Sequence, residues 1–165
     1  FSSITYEKIS SSFDNSFDMT NMAFFGENLI LDKICEKDIC VGDILKIGQA
    51  KVQITQPRQP CWKLSANSLK NSMTKFIFET GLTGFYAKVL KEGQISQNDD
   101  VVLEQRTNPN LTIEKLNQII VEPKIDINLT KEALACEDLG HQFKNSLTKR
   151  YELRDEDNQF SFYHT

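Results

Sequence analysis

The run Gln56-Pro57-Arg58-Gln59-Pro60-Cys61-Trp62-Lys63-Leu64 sets one thiol between two cations, directly after two prolines. Each proline fixes its own φ and pushes the preceding residue away from helical angles, so the segment is expected to be rigid and open. In a polyproline-like stretch the side-chain period is three, which puts Arg58 and Cys61 on one side. Continued as a strand, the chain would place Cys61 and Lys63 on one face and Trp62 and Leu64 on the other. Either geometry brings a guanidinium and an ammonium near the thiol. Such surroundings favour the thiolate, the form that binds metals and attacks electrophiles. The same pattern suits a buried structural cysteine acting as a small hydrophobe, and the run alone leaves both readings open. Trp62 and Leu64 are expected in the core under either.

The elements that must carry this run are read from periodicity. Gly42-Asp43 introduces two alternating stretches, Leu45 and Ile47 about Lys46, then Val52 and Ile54 about Lys51 and Gln53. Gly48-Gln49 between them has the composition of a two-residue hairpin turn. The second strand of this hairpin feeds directly into the proline-cysteine run. Asn28-Leu29-Ile30-Leu31 reads as a short buried strand, and the first 22 residues fit a short helix or a loop. From Ser68 to Thr80 the period becomes helical, with Leu69, Met73, Phe76 and Ile77 on one face and Gly81 as C-cap. Residues 84–90 and 101–104 read as two further strands. Beyond Asn108-Pro109-Asn110, Thr112 is a plausible N-cap, and Thr130 and Asp138 are expected to cap two more helices. Phe143, Leu147 and Tyr151 recur at i, i+4, i+8 in the last of them.

Composition bounds what this can be. With 165 residues, 39% apolar and 25% charged, the chain is an ordinary globular domain with at most a small appendage. No apolar run approaches the roughly 20 residues of a membrane span. The net charge of −4 gives no general attraction to nucleic acid or anionic lipid, so any anion site must be a local basic cluster. The cysteines Cys35, Cys40, Cys61 and Cys136 contain no CxxC spacing, and two histidines are too few for a conventional zinc site. No secretory signal is visible, and reduced thiols in a cytoplasmic protein are the expectation.

Several segments, in order, resemble the MOSC family, named for the C-terminal domain of molybdenum-cofactor sulfurases, and most closely its YiiM-like branch. They are Phe25-Gly26-Glu27-Asn28-Leu29, Cys40-Val41-Gly42-Asp43, the run from Gln56 to Leu64, Thr83-Gly84-Phe85-Tyr86 and Val89-Leu90-Lys91-Glu92-Gly93. The resemblance implies a mainly β fold: a MOSC-type β-barrel with an inserted helix over residues 1–106, a three-helix domain over 107–154, and a tail over 155–165. The family's N-terminal barrel segment with its His-Gly-Gly motif has no counterpart here, so either the sequence is a fragment or the barrel is incomplete. Asn98-Asp99 stands where the family usually has Gly-Asp, a change that asparagine's tolerance of left-handed angles accommodates.

The resemblance also implies a cleft for the molybdenum cofactor (molybdopterin), with Cys61 as metal ligand and catalytic centre. Glu27 and Asn28 fall where the family lines the cofactor cleft, and Arg58 and Lys63 would face the cofactor's anionic groups. The implied activity is reduction of a small N-hydroxylated molecule, such as a hydroxylaminopurine. With no GxGxxG run for a dinucleotide, electrons would come from a partner reductase or small redox protein. Two other readings are a sulfur or cofactor carrier using a Cys61 persulfide, and a non-catalytic family remnant. Neither nucleic acid nor membrane is an expected partner, and a homodimer is left open.

Overall fold

A computed structural model of the protein describes residues 1–14, 17–18 and 23–152. The tail expected over 155–165 lies outside them. In chain order the elements are α1 (Ser3–Ser12), β1 (Ile44–Ile47), β2 (Ala50–Pro57), α2 (Trp62–Ser68) and α3 (Met73–Thr80), then β3 (Phe85–Lys91), β4 (Val101–Gln105), α4 (Ile113–Val121), α5 (Ile127–Ala135) and α6 (His141–Glu152).

The hairpin forms in the expected register. Ile47 pairs with Ala50 and Leu45 with Val52, leaving Gly48-Gln49 as the turn, with Gly48 at φ +54 where a side chain would be strained. Leu45, Ile47 and Ile54 are buried and Val52 is half-buried. A one-residue slip would turn all four to solvent, so burial fixes the pairing. β3 joins β2 and β4 joins β1, both antiparallel, giving the order β3-β2-β1-β4. Asn98, before β4, takes φ +69, the left-handed angle expected of it.

The sheet does not close. A barrel requires its outer strands to pair with each other, whereas β3 bonds only to β2 and β4 only to β1. The architecture among the described residues is therefore mixed α/β: four antiparallel strands in an open sheet with six helices, a correction to the mainly β barrel. Two expected strand segments account for part of the difference. Asn28 and Leu29 are exposed and Leu31 makes only an isolated bridge with Ser2. The chain after Pro60 does not stay extended but turns at once into α2. The helix expected over Ser68 to Thr80 starts only at Met73, as α3, and Leu69, expected on its face, lies outside it at the left-handed φ +55 that ends the unexpected α2; Gly81 caps α3 as expected.

Two apolar clusters hold the molecule. One joins Leu45, Ile47 and Ile54 of the hairpin to Leu116, Ile119, Phe143 and Leu147 of α4 and α6. The other gathers Phe1, Tyr6, Ile9 and Phe25 with Leu64, Met73 and Ile77 of α2 and α3. Thr112 caps α4 as expected, its hydroxyl accepting from the Lys115 N–H at 3.1 Å, a contact typically worth about 1 kcal/mol. The other two expected caps are corrected. Asp126, not Thr130, caps α5 through the Leu129 N–H, while Thr130 is buried and donates to the Pro123 carbonyl. Asp138 precedes α6 and accepts from Gln53, Thr107 and Asn108, tying the helices to the sheet.

Candidate functional site

β2 carries the site because its two ends do different work. Its middle residues Val52 and Ile54 line a cavity of about 420 Å3 together with Leu45 and Ile47 of β1 and Phe85 and Val89 of β3. Past Pro57 the strand runs out through Arg58, whose N–H still bonds to the Gly84 carbonyl at 3.1 Å. Pro57, paired with Phe85 at the end of the ladder, and Pro60 have no N–H to donate, and their fixed φ keeps the chain extended as it leaves the sheet.

Arg58 lines the cavity, as do Glu27 and Asn28. A guanidinium N–H of Arg58 donates to the Phe25 carbonyl, and the Glu27 carboxylate accepts from the Phe25 N–H at 3.0 Å. A cation and an anion thus grip the two sides of one residue and hold the 25–28 loop as a wall of the cavity. Charge-assisted bonds of this kind are stronger than neutral ones. Asn28 is exposed.

Cys61 is the N-cap of α2, with extended backbone at φ −138 and ψ 168. It is partly exposed, whereas Cys35, Cys40 and Cys136 are buried. Its carbonyl accepts from the Thr74 hydroxyl at 2.9 Å and from the Leu64 N–H at 3.0 Å. The Thr74 hydroxyl also meets Ser65 Oγ at 2.8 Å. α3 thereby clamps the turn that presents the thiol. No sequence pattern marked Thr74, because a hydroxyl bonding a distant carbonyl has no local signature.

Not all the expected residues converge. Glu27, Asn28 and Arg58 share the cavity, but neither Cys61 nor Lys63 lines it. Lys63 is exposed on the first turn of α2. Because the chain is helical from Trp62, Cys61 and Lys63 do not share a strand face, and Trp62, expected in the core, is 57% exposed. Only Leu64 of that pair is buried.

The buried thiols sit differently. Burial pushes the Cys35 thiol up, aided by its bond to Asp38, and burial with the Asp43 charge raises Cys40. Both are thereby held protonated, the form least suited to bind metal or attack. No group of three His, Cys, Asp or Glu residues among the described residues is placed to hold a metal ion. No helix among the described residues is long and apolar enough to cross a membrane.

Comparison with known proteins follows the same outline. The chain is 32% identical over 128 residues to the uncharacterized protein YflK of Bacillus subtilis, matching 78% of this chain and 58% of that one. It is 28% identical over 145 residues to a protein of Gibberella moniliformis named "Reductase", covering 84% of this chain but 26% of that protein. The chain thus spans little more than half of one curated relative and about a quarter of the other. The crystal structure of YiiM from Geobacillus stearothermophilus superposes with a TM-score of 0.82 at 32% identity, over 91% of this chain and 75% of that one. The MOSC domain itself matches residues 1–102, which include the cavity, the 25–28 loop and the Cys61 turn, and this protein belongs to the MOSC domain family.

Proposed function

We propose that the protein is a molybdenum-cofactor-dependent reductase of N-hydroxylated compounds. The observation carrying this reading is the Arg58–Cys61 turn. Over this short span it passes from a guanidinium at the wall of a 420 Å3 cavity to a partly exposed thiol clamped by Thr74. Membership of the MOSC family and a relative named as a reductase lend it support.

The residues present suit such a cofactor. A lone thiolate is a fitting soft ligand for a metal whose remaining donors come from an organic group. Arg58 at the cavity and Lys63 on the neighbouring turn are suited to its anionic substituents. When bound, the cofactor supplies a two-electron couple. The overall change is R–NHOH + 2 e⁻ + 2 H⁺ → R–NH2 + H2O: the N–O bond breaks, nitrogen is reduced and oxygen leaves as water. Electrons come from a partner reductase or small redox protein. In this scheme Cys61 anchors the metal, Arg58 and Lys63 offset negative charge, and Glu27 and Asn28 shape the cavity wall.

The test is molybdenum content of protein made in a host that synthesises the cofactor, wild type beside Cys61→Ser, with a reduced viologen as electron donor and a hydroxylaminopurine as acceptor. Bound molybdenum and viologen oxidation should both be lost in Cys61→Ser, since a hydroxyl is a poor ligand for a soft metal. Equal molybdenum in the two proteins would remove Cys61 from the metal.

A further inference from the structure

We infer that a second cavity, between the end of α3 and one face of α4, binds a linear polyamine. The inference goes beyond the reductase reading and does not depend on it, because this cavity shares no lining residue with the one beside Arg58.

The cavity has a volume of about 370 Å3. α4 contributes Glu114, Asn117, Val121 and Glu122, whose spacing keeps them on one side of the helix. α3 contributes Phe78, and Leu82 follows just beyond its cap. Phe78 and Asn117 are buried, whereas Glu114 and Glu122 are exposed at the rim.

Asn117 carries the argument. It is only 6% exposed, and its Nδ2 donates to the Gly81 carbonyl at 2.8 Å and the Thr83 hydroxyl at 3.0 Å. A carbonyl can only accept, so the orientation of the amide is fixed. Its Oδ1 then accepts no hydrogen bond among the described residues. No fully enclosed side-chain nitrogen or oxygen among them lacks a partner, so Oδ1 opens onto the cavity that Asn117 lines. An acceptor so far withdrawn from water calls for a donor.

Charge says which kind. Neither Glu114 nor Glu122 is ion-paired among the described residues. α3 ends in this wall with no basic residue in its last turn, so the negative end of its dipole adds to theirs. Glu79 also lines the cavity, 3.7 Å from Lys75, while Glu36 is engaged by the Thr5 hydroxyl and the Gly84 N–H. Lys8 and Lys37 belong to the lining as well, but both are exposed, and ammonium groups on long stems keep to water.

The spread of the acceptors sets the shape of the ligand. Glu114 and Glu122 lie eight residues apart, about 12 Å along the helix axis, with Asn117 between them. That is too far for one compact ion, and no group of three His, Cys, Asp or Glu residues among the described residues is placed to hold a metal. A chain with an ammonium at each end and an amine between them matches the two carboxylates and Oδ1 in charge-assisted bonds. Its methylenes would cover Val121, Leu82 and Phe78.

Spermidine is the probe, titrated calorimetrically into the protein at about 0.15 M salt, where attraction between distant exposed charges is screened. One saturable site is expected. Glu114→Gln and Glu122→Gln should each weaken it about fivefold. Gln118→Lys, which sets an ammonium on an exposed part of the lining, should abolish it. Glu137→Gln, exposed and outside the lining, should leave affinity within twofold. Absence of saturable binding up to millimolar spermidine would overturn the site. An equal loss in Glu137→Gln would also overturn it, leaving only attraction to the net negative charge, and so would displacement by an equal concentration of Mg2+, which would leave only a rim of carboxylates.

Discussion

At the residue scale, the four cysteines have different fates because burial and neighbours differ, not because of their spacing. Cys35, Cys40 and Cys136 are shielded, and Cys61 is partly open. Brief iodoacetamide treatment of the native protein at pH 7.5 should therefore modify Cys61 first, with the other three reacting only on unfolding; peptide mass spectrometry reads the order. Early labelling of Cys40 would show that its burial is not maintained in solution. The raised groups also set a pH limit. Burial lifts the Cys35 and Cys40 thiols above their usual value of about 9 and, with the Glu27 charge, lifts the Tyr6 hydroxyl to about 12. A folded pKa above the unfolded one means that the native state holds the proton more tightly. The stability from these groups is then complete below the unfolded pKa and lost as pH rises through the folded one. These groups should make urea midpoints fall from about pH 9 upward, and Tyr6→Phe should flatten the fall at its upper end.

At the scale of elements, α2 holds the most direct prediction. Leu69 ends it in left-handed conformation at φ +55 while 88% exposed. A non-glycine residue there carries roughly 1 kcal/mol of strain and, being exposed, contributes little apolar burial. Leu69→Gly should thus stabilise the protein, by up to about 1 kcal/mol in urea unfolding, whereas a loss would show that its side chain packs in solution. Thr74→Val acts oppositely, removing the hydroxyl from the Cys61 carbonyl and Ser65. It should cost about 1 kcal/mol and make Cys61 alkylation faster. These details show what could be read in advance. The hairpin and the Thr112 cap were legible because alternation and capping are local signals. The turn from Pro60 into α2 was not, because a seven-residue helix with one buried seam, Leu64 and Ser68, is too short to show a period. The Glu27–Phe25–Arg58 grip was half legible: Glu27 and Arg58 were marked, but their joint hold on one residue depends on how β2 and the loop meet.

At the scale of the whole molecule, the cores do not divide where the sequence texture changes. Composition shifts after Arg106, yet the main apolar cluster runs from Leu45, Ile47 and Ile54 in the sheet to Leu116, Phe143 and Leu147 in the helices beyond. Polar ties reinforce it. Arg106 donates from Nε and Nη2 to the fully buried Asp43 carboxylate at 2.9 and 2.7 Å. Gln53 reaches Asp138 at 3.1 Å, and the Gly140 N–H bonds to the Thr55 carbonyl at 3.1 Å. The second cluster, around Tyr6, Phe25 and Met73, belongs to α1, α2 and α3. It is joined to the first through Asn117, which donates to the Gly81 carbonyl at 2.8 Å and to the Thr83 hydroxyl at 3.0 Å. Cooperative units follow shared burial. Native-state hydrogen exchange should therefore group the amides of β1, β2, α4 and α6 in one slow set, with those of α1, α2 and α3 opening at lower free energy. Asn117→Ala, which leaves the Gly81 carbonyl and the Thr83 hydroxyl without this donor, should widen the gap by about 1–2 kcal/mol. If the amides instead divided at Arg106, with the strands in one set and α4 to α6 in another, the shared core would not be the unit that folds. The Cys61 turn rests on the α1–α3 cluster, whereas the cavity is walled both by the sheet and by Phe1 and the 25–28 loop beside that cluster, so opening of the slower-exchanging sheet is not needed for the turn to move.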